Sequence, residues 1–457
     1  MNEQSREIPA EHRSGEPVGT KLLRIAEKAR EDRGLKFVNL YYLMKEELLG
    51  ECFERLKGNK AAGIDEVTKE EYGAELEANL KRLTERLQGM SYRPEAVRRV
   101  YIPKPGSGKL RPLGIPCLED KLVGMALGRI VEAIYEGDFV ESSYGFRPGR
   151  SCHDALSALS HAVEKGKTNY IVEADIKKFF DRVDHDWMMK MLEERIEDKR
   201  VLRLVKRFLK AGVMEDGQRK ESEEGTPQGS SLSPILANVY LHYALDLWFE
   251  RVYRKSCKGR AKQIRFADDF VACFEKEEDA TRYREALEER LKKFGLELEP
   301  TKTKVLEFGP KAEGNARRRG EKPETFEFLG FTHYCSRGRD GERYRMKRVT
   351  SGKKNRAKLV EFKEWIKRER NQPLQWIMEM VAAKLRGHYG YYGVSDNSRG
   401  IVRYTRGVQR VLYKWLNRRS QRRSYTWEEF LEMLDRFKLP QPRIRVNLHG
   451  YRLRRSI

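Results

Sequence analysis

The sequence predicts an α+β fold, with strands and helices mixed as far as about residue 350 and helices alone from there to a break at Pro440 and Pro442. Three observations carry this. Short runs rich in β-branched and aromatic residues, bounded by Gly and Pro, recur in the first three quarters of the chain. Longer runs between them repeat their apolar residues at helical spacing. One strand–turn–strand pattern, Gln263-Ile264-Arg265-Phe266-Ala267-Asp268-Asp269-Phe270-Val271, carries two adjacent carboxylates at its tip. Neither an internal repeat nor a low-complexity block interrupts the pattern.

Taken in order, residues 1–35 are charged, with a short helical pattern around 22–29, and read as an N-terminal extension that is mobile or conditionally ordered. Apolar positions recur at helical spacing over 37–56, break at 59–65 where Ala61-Ala62-Gly63 falls, and resume over 69–87. The segment 91–116 alternates and is rich in Pro and Gly, giving a strand at 98–103 and a hairpin tipped by Gly106-Ser107-Gly108. Helices are expected at 119–135 and 152–164, a strand at 170–174, then helices at 186–211 and 233–252. The carboxylate hairpin follows, then a helix at 278–294. A second hairpin is expected from 303–308 with 326–334, its connection 309–324 basic and Gly-rich.

Net charge is +23, unevenly spread. Residues 337–457 hold 32 Lys+Arg against 11 Asp+Glu, whereas the other 336 hold 61 against 59. Like charge on that scale opposes compaction unless a polyanion is present, and nucleic acid is the obvious one. A merely solubilising basic surface is the alternative. The cysteines, at 52, 117, 152, 257, 273 and 335, form no C-x-x-C pair and fit reduced thiols of a cytoplasmic protein. No run of eighteen apolar residues exists and the N-terminus is polar, so neither a membrane span nor a signal peptide is expected.

Adjacent anionic side chains repel, and a fold that keeps Asp268 and Asp269 together calls for a divalent cation. Two-metal phosphoryl chemistry needs more oxygen ligands, because its ions stand about 4 Å apart. The run Ile171-Val172-Glu173-Ala174-Asp175 delivers a third carboxylate, Asp175, at a strand end; a lone aspartate there is equally a helix N-cap.

Several segments, in order, resemble the reverse transcriptases encoded by group II introns, also called intron maturases. Ile102-Pro103-Lys104-Pro105 with Leu110-Arg111-Pro112-Leu113-Gly114-Ile115-Pro116 is similar to the family's fingers hairpin, and Ser143 through Ser151 to its next block. Asp175–Asp181 resembles the first metal motif, and Gly225-Thr226-Pro227-Gln228-Gly229 with Ser233–Asn238 the nucleotide block. Phe266–Phe270 resembles the second metal motif, with Phe266 where the family usually has tyrosine. Gly295-Leu296 with Lys302-Thr303-Lys304 resembles the following block, Phe328-Leu329-Gly330-Phe331 the primer grip, and Leu385 through Gly393 the maturase X signature. The likeness runs from about 36 to 450.

The resemblance implies a right-hand polymerase: fingers and palm over 36–335 with an antiparallel palm sheet, a helical thumb or X domain over 336–450, and a basic tail at 451–457. It implies RNA-directed DNA polymerisation, with Asp175, Asp268 and Asp269 catalytic. Asp175 and Asp268 would bridge two Mg²⁺ ions, replaceable by Mn²⁺, with Asp269 in support and the Ile176 carbonyl adding an oxygen. Lys104 and Arg111 would close over the dNTP triphosphate, unless each is an exposed salt-bridge partner. Phe179 matches the aromatic under the sugar, with Phe180 its rival and one of the two in the core. Gln228 would hydrogen-bond near the nucleotide, with Gly229 letting backbone approach. Arg147 is either a template phosphate ligand or a structural ion pair. Lys302, Leu329, Gly330, Arg386, Arg418 and Arg419 are placed on template, primer or intron RNA. Of Arg403, Arg406, Arg410, Lys414, Arg418, Arg419, Arg422 and Arg423, several recur at three- or four-residue steps, as a basic helical stripe suited to structured RNA. Tyr389, Tyr391 and Tyr392 are equally core or contact residues.

The implied partners are group II intron RNA, an RNA template with DNA primer, dNTPs and target DNA, in a prokaryotic cytoplasm and as either monomer or homodimer. The alternatives are a related enzyme recruited to defence or repair, and an RNA-binding maturase that assists splicing alone. Many relatives continue into a His-Asn-His nuclease; this sequence stops at Ile457 without Cys pairs there, so a mobile version is expected to draw its primer from elsewhere, such as a replication fork.

Overall fold

The structure, a computed structural model, describes residues 16–103, 110–221, 223–226, 229–338, 341, 343–419 and 424–449. In chain order come α1 (Val18–Glu31), α2 (Glu46–Arg55), α3 (Lys69–Ala74), α4 (Leu76–Gln88), β1 (Val97–Pro103), β2 (Leu110–Ile115), α5 (Leu118–Tyr135), α6 (Cys152–Lys165) and β3 (Tyr170–Asp175). Next are α7 (His185–Glu193), α8 (Lys199–Leu209), β4 (Val213–Glu215) and β5 (Gln218–Lys220). Then α9 (Ser233–Leu241) runs through two π-helical stretches, His242–Asp246 and Phe249–Tyr253, into α10 (Arg254–Ser256). There follow β6 (Ala261–Phe266), β7 (Asp269–Phe274), α11 (Glu277–Lys292) and β8 (Lys304–Glu307). After these come α12 (Ala312–Arg318), β9 (Thr325–Phe328), β10 (Phe331–Arg337), β11 (Tyr344–Thr350), α13 (Gly352–Glu369), α14 (Leu374–Tyr392), α15 (Ser398–Leu416) and α16 (Trp427–Arg436).

The strands form three sheets. The first, in order β2-β1-β4-β5, is the expected hairpin over 98–115 extended by a short hairpin that local pattern does not announce. The second, β6-β7-β3-β8, is antiparallel throughout. The third is β11-β10-β9. Side chains alternate across the second sheet. Val172, Ala174, Phe270, Ala272 and Phe274 enter one core with the N-terminal helices. Ile171, Ile264, Val271, Cys273 and Leu306 enter a second core shared with α6 and the C-terminal helices. Both faces of this sheet are therefore covered.

Several expected elements differ. The helix over 37–56 is a 3₁₀ turn, Tyr41–Leu43, followed by α2, because the amides of Leu40 and Tyr41 donate to the distant Asp198 carboxylate at 2.8 and 2.9 Å. The helix over 186–211 is two, α7 and α8. Asp198 caps α8, and Arg195 between them is buried, donating to Asp138 and to the carbonyls of Ala29 and Leu35. The segments 303–308 and 326–334 do not pair with each other: β8 adds to β3, while β9 pairs with β10. Their connection contains α12. The C-terminal region is helical from Gly352, but β11 places a strand within its expected first residues, where the buried Arg348 disguises the alternation. Among the described residues no helix is long and apolar enough to cross a membrane. The fingers tip at 106–108 and the tail at 451–457 lie outside the described residues, as do 1–15 of the N-terminal extension.

Candidate active site

The antiparallel register sets Asp175, the last residue of β3, opposite Asp269, the first of β7. Cross-strand partners share a face, and Glu173, two residues before Asp175, lies on it too. Asp268 sits beside them in the two-residue turn between β6 and β7. That turn requires Ala267 at φ +57°, a left-handed conformation that costs a non-glycine residue energy.

The turn is held from beneath. Arg265 is fully buried and donates from Nη1 to the Ala267 carbonyl at 2.9 Å and to Asn238 Oδ1 at 3.0 Å. Its Nε donates to Asp246 Oδ1 at 2.8 Å, and its Nη2 to the other Asp246 oxygen and to Ser143 Oγ. Asn238 in turn donates to the Gly145 carbonyl at 2.7 Å. A Cβ on Gly145 would stand 2.2 Å from the Ala267 nitrogen, so this close approach requires glycine there. Asp246, Asn238 and Arg265 are therefore positioning residues; Asn238 and Arg265 fall inside quoted motifs, but Asp246 and the link among the three are missed, since nothing local joins an arginine in a strand to an aspartate nineteen residues earlier.

The carboxylates crowd one another. Burial, then the Asp175 charge, raises the Asp268 pKa, against the lowering influence of Arg111. Burial pushes Asp269 up to about 7, helped by Asp268, Asp175 and Glu173, although the Leu329 amide donates to its Oδ2 at 3.3 Å. Glu173 is likewise raised to about 7, first by burial and then by Glu327 and Asp175. Lys302 Nζ pairs with Asp175. Among the described residues, no three His, Cys, Asp or Glu groups are already arranged as a metal cage. The fit to a divalent ion rests on the donors themselves. Carboxylate oxygens gathered at one end of the sheet suit a hard cation that takes one or two carboxylates and keeps several waters, and burial, followed by mutual repulsion, leaves Asp268, Asp269 and Glu173 in need of a compensating positive charge. Ile176 follows Asp175 in the chain, and the bridge between Ile176 and Leu298 is made by the amide of Lys177 and the carbonyl of Asp175, which leaves the Ile176 carbonyl out.

Arg111 lies exposed on β2, close enough to act electrostatically on Asp268. Lys104 and Gln228 lie outside the described residues. Gly229, at φ +116°, brings its loop onto the fingers sheet: a Cβ there would meet the Gly114 carbonyl at 2.3 Å. The Thr226 amide donates to the Phe180 carbonyl at 2.7 Å. Phe179 is 2% exposed and packs against Tyr240, whereas Phe180 is half-buried. Of the two candidates for the ring under the sugar, the more accessible is therefore Phe180, the rival, and the one in the core is Phe179.

Arg147 resolves to the structural alternative. Its guanidinium is buried, takes the Glu136 carboxylate through Nε at 3.0 Å and Nη2 at 2.7 Å, and donates to the carbonyls of Val140 and Ser143. No phosphate-facing donor is left to it in that arrangement. Lys302, expected on template or primer, is occupied by Asp175. Leu329 and Gly330, at φ +51° and +77°, form the tight turn between β9 and β10. Tyr391 Oη donates to the Leu329 carbonyl at 2.9 Å, and Tyr392 packs against Gly330. Tyr389 is buried, its hydroxyl 2.6 Å from that of Thr405. Tyr389 and Tyr392 are thus buried, while Tyr391 remains half-buried.

On α15, Arg403, Arg406, Arg410 and Lys414 are exposed on one side while Ile401, Tyr404, Val408, Leu412 and Trp415 are buried on the other. Arg386 on α14 is exposed, as is Arg418, whose guanidinium lies over the Trp415 ring at 5.4 Å. Arg419 differs: half-buried, it turns inward and donates to the Gln372 carbonyl at 2.9 Å. Arg422 and Arg423 lie outside the described residues.

Comparison with known proteins agrees with this geometry. The reverse transcriptase (RNA-dependent DNA polymerase) family profile matches residues 102–333, and the group II intron maturase-specific domain profile matches 354–430. The group II intron-encoded protein LtrA of Lactococcus lactis subsp. cremoris is 39% identical over 227 residues, which is 50% of this chain and 38% of LtrA. Protein YkfC of Escherichia coli (strain K12) is 38% identical over 213 residues, 46% of this chain and 55% of YkfC. The putative COX1/OXI3 intron 1 protein of Saccharomyces cerevisiae is 31% identical over 227 residues, 49% of this chain and 27% of that protein. The chain thus spans about half or less of the length of these relatives.

Proposed function

Because this chain belongs to the reverse transcriptase family and carries a group II intron maturase-specific domain behind the polymerase region, we propose that it is an RNA-directed DNA polymerase that also binds its parent group II intron RNA and assists splicing and mobility. The observation that supports this best is Asp175 facing Asp269 across β3 and β7, with Asp268 in the adjoining turn. Asp175 and Asp268, with Asp269 and the Ile176 carbonyl beside them, would hold two Mg²⁺ ions, or Mn²⁺, which when bound acidify a primer 3′-hydroxyl and balance the charge of departing pyrophosphate.

The protein groups do the rest. Arg111 offers a bidentate cation to the triphosphate, and the family resemblance assigns Lys104 and Gln228, which lie outside the described residues, to the same nucleotide. Phe180, accessible where Phe179 is not, lies under the sugar and excludes a 2′-hydroxyl. Lys302 balances the Asp175 charge, and the Leu329 amide orients Asp269. The exposed stripe from Arg403 to Lys414, with Arg386 and Arg418, meets phosphates of intron RNA or of the template–primer duplex. In this reading the partners are intron RNA, an RNA template with DNA primer, dNTPs and target DNA, in the cytoplasm. The test is primer extension on an RNA template by Asp268→Ala. Extension dependent on Mg²⁺ is expected to fall to background while RNA affinity changes by less than about twofold, since a surface held by many phosphate contacts loses none of them. Undiminished extension would sink the polymerase reading.

A further inference from the structure

Between α13, α14 and α15 lies a cavity of about 460 Å³, lined among others by Lys358, Lys384, Gly387, His388, Tyr391 and Tyr404. Its size is that of a ligand pocket rather than a packing defect. The His388 ring lies parallel to Tyr404, with centroids 3.6 Å apart and planes at 12°. His388 is 6% exposed, and neither ring nitrogen has a hydrogen-bond partner among the described residues. Buried polar atoms without partners are rare and call for an explanation. Burial, with Lys358 nearby, lowers the His388 pKa to about 3, so the ring is neutral and presents one donor and one acceptor.

A second observation is independent of the first. Gly387 and Gly390 occupy the exposed side of the long helix α14, and a Cβ on either would meet nothing within 4 Å. Glycine inside a helix is less stable than alanine, and no neighbour within the described chain requires it here. A bare backbone beside an aromatic pocket lets another backbone pass close by. The rim carries two cations and one anion: exposed Lys358 pairs with the Glu361 carboxylate at 3.4 Å, and Lys384 lies over Trp365 with its ammonium 4.7 Å from the ring centre.

We propose that this cavity captures one unpaired nucleobase of the bound polynucleotide, stacked on the tyrosine–histidine wall, with its strand passing over Gly387 and its flanking phosphates on Lys358 and Lys384. The proposal rests on the nucleic-acid reading above and adds a base-holding site distinct from the polymerase carboxylates. An aromatic platform takes any base by its face, and the neutral imidazole supplies the edge contact that packing within the chain leaves unused. Tyr391, which lines the cavity, also donates to the Leu329 carbonyl, and the Leu329 amide donates to Asp269. An occupied cavity is thus one hydrogen-bonded turn away from the polymerase site.

The test measures affinity of the full chain for template–primer duplexes carrying one unpaired nucleotide, moved stepwise upstream of the primer 3′ end, against the fully paired duplex. One series places it in the RNA template and one in the DNA primer, so the strand that shows a preference identifies the source of the base. The expected result is one position bound at least about fivefold more tightly than the paired duplex, the low end for a base stacked on an aromatic ring. In Gly387→Ala and His388→Ala that ratio falls to about one. Gly387→Ala has room for its methyl group and favours helix, so its melting temperature should not drop. No preference at any position, or a preference that survives both substitutions, overturns the proposal. Failure to bind even the paired duplex would overturn the polymerase reading, and this proposal with it.

Discussion

Replacing Asp246 by Asn isolates what the buried base of the carboxylate turn does. Asp246 and Arg265 are both fully buried, and the aspartate takes two guanidinium donors together with the Gln263 amide at 3.1 Å. The change keeps the shape and removes the charge, leaving Arg265 uncompensated in the interior. Breaking one side of such a pair costs about 3–5 kcal/mol. For one cooperative unit of this size, at about 2.1 cal/mol/K of unfolding entropy per residue, that corresponds to a melting temperature lower by roughly 3–6 °C. A second variant, Asp246→Leu with Arg265→Met, removes both charges and is expected to recover most of that stability, since hydrophobic replacement of a buried pair is often neutral. Activity should not follow. The left-handed Ala267 stores about 1–3 kcal/mol of strain, and a charged hydrogen bond such as Arg265 to its carbonyl contributes about 1.5–3 kcal/mol. The two nearly cancel, so without the bond the turn relaxes and Asp268 moves. Differential scanning calorimetry paired with single-turnover primer extension separates the effects. The double variant should melt near wild type yet extend more than about tenfold more slowly, the equivalent of 1.4 kcal/mol. Wild-type extension by the double variant, or an unshifted melting temperature in Asp246→Asn, would refute the positioning argument.

Three more outcomes follow from the same geometry. Phe179→Ala should destabilise the palm by about 3–5 kcal/mol through a core cavity, whereas Phe180→Ala should melt near wild type and accept ribonucleotides more readily; equal effects in both assays would return the sugar role to an open question. Replacing Arg403, Arg406 and Arg410 with glutamate should weaken RNA binding and flatten the plot of log affinity against log salt by up to about three times the 0.7–0.9 slope of a single phosphate contact; an unchanged slope removes that face from the interface. In metal-free buffer the Glu173 pKa of about 7, above its unfolded value near 4.3, means the folded state binds the extra proton between those pH values. Its stabilising contribution is therefore complete below about pH 4.3 and is lost as pH rises through 7, by about 1–2 kcal/mol after screening. Glu173→Gln should remove that decline from urea titrations at successive pH values, and an identical pH dependence in both proteins counts against the crowding of carboxylates on this face.

What could be read from the sequence depended on how local its cause was. The carboxylate hairpin and the strand ending in Asp175 declare themselves through alternation, and the α15 stripe through its three- and four-residue steps. Phe179 and Phe180 are neighbours of identical type, and a single 3₁₀ turn, Phe179–Asp181, decides which enters the core. Arg147 reads the same whether it meets phosphate or Glu136, because its partner is chosen by the loop's path rather than by the motif around it. Lys302 and Asp175 are 127 residues apart, as are many groups that only a sheet can bring together. The palm register of β8 and the strand β11 were hidden for the same reason: non-local pairing settles the first, and a buried arginine masks the second.

The second hydrophobic core runs without a break from Leu156 on α6, through Ile171 and Val271, to Leu385, Val408 and Phe430. Polymerase region and maturase-specific region are separable as stretches of sequence, yet they solidify around common side chains. Cutting the chain near residue 336 would not release two modules; it would strip one wall from a shared interior and leave the back of the palm sheet wet. Heating or denaturant should accordingly melt both regions in a single transition, and natural shuffling of either part would have to carry a compatible half of that interior along with it.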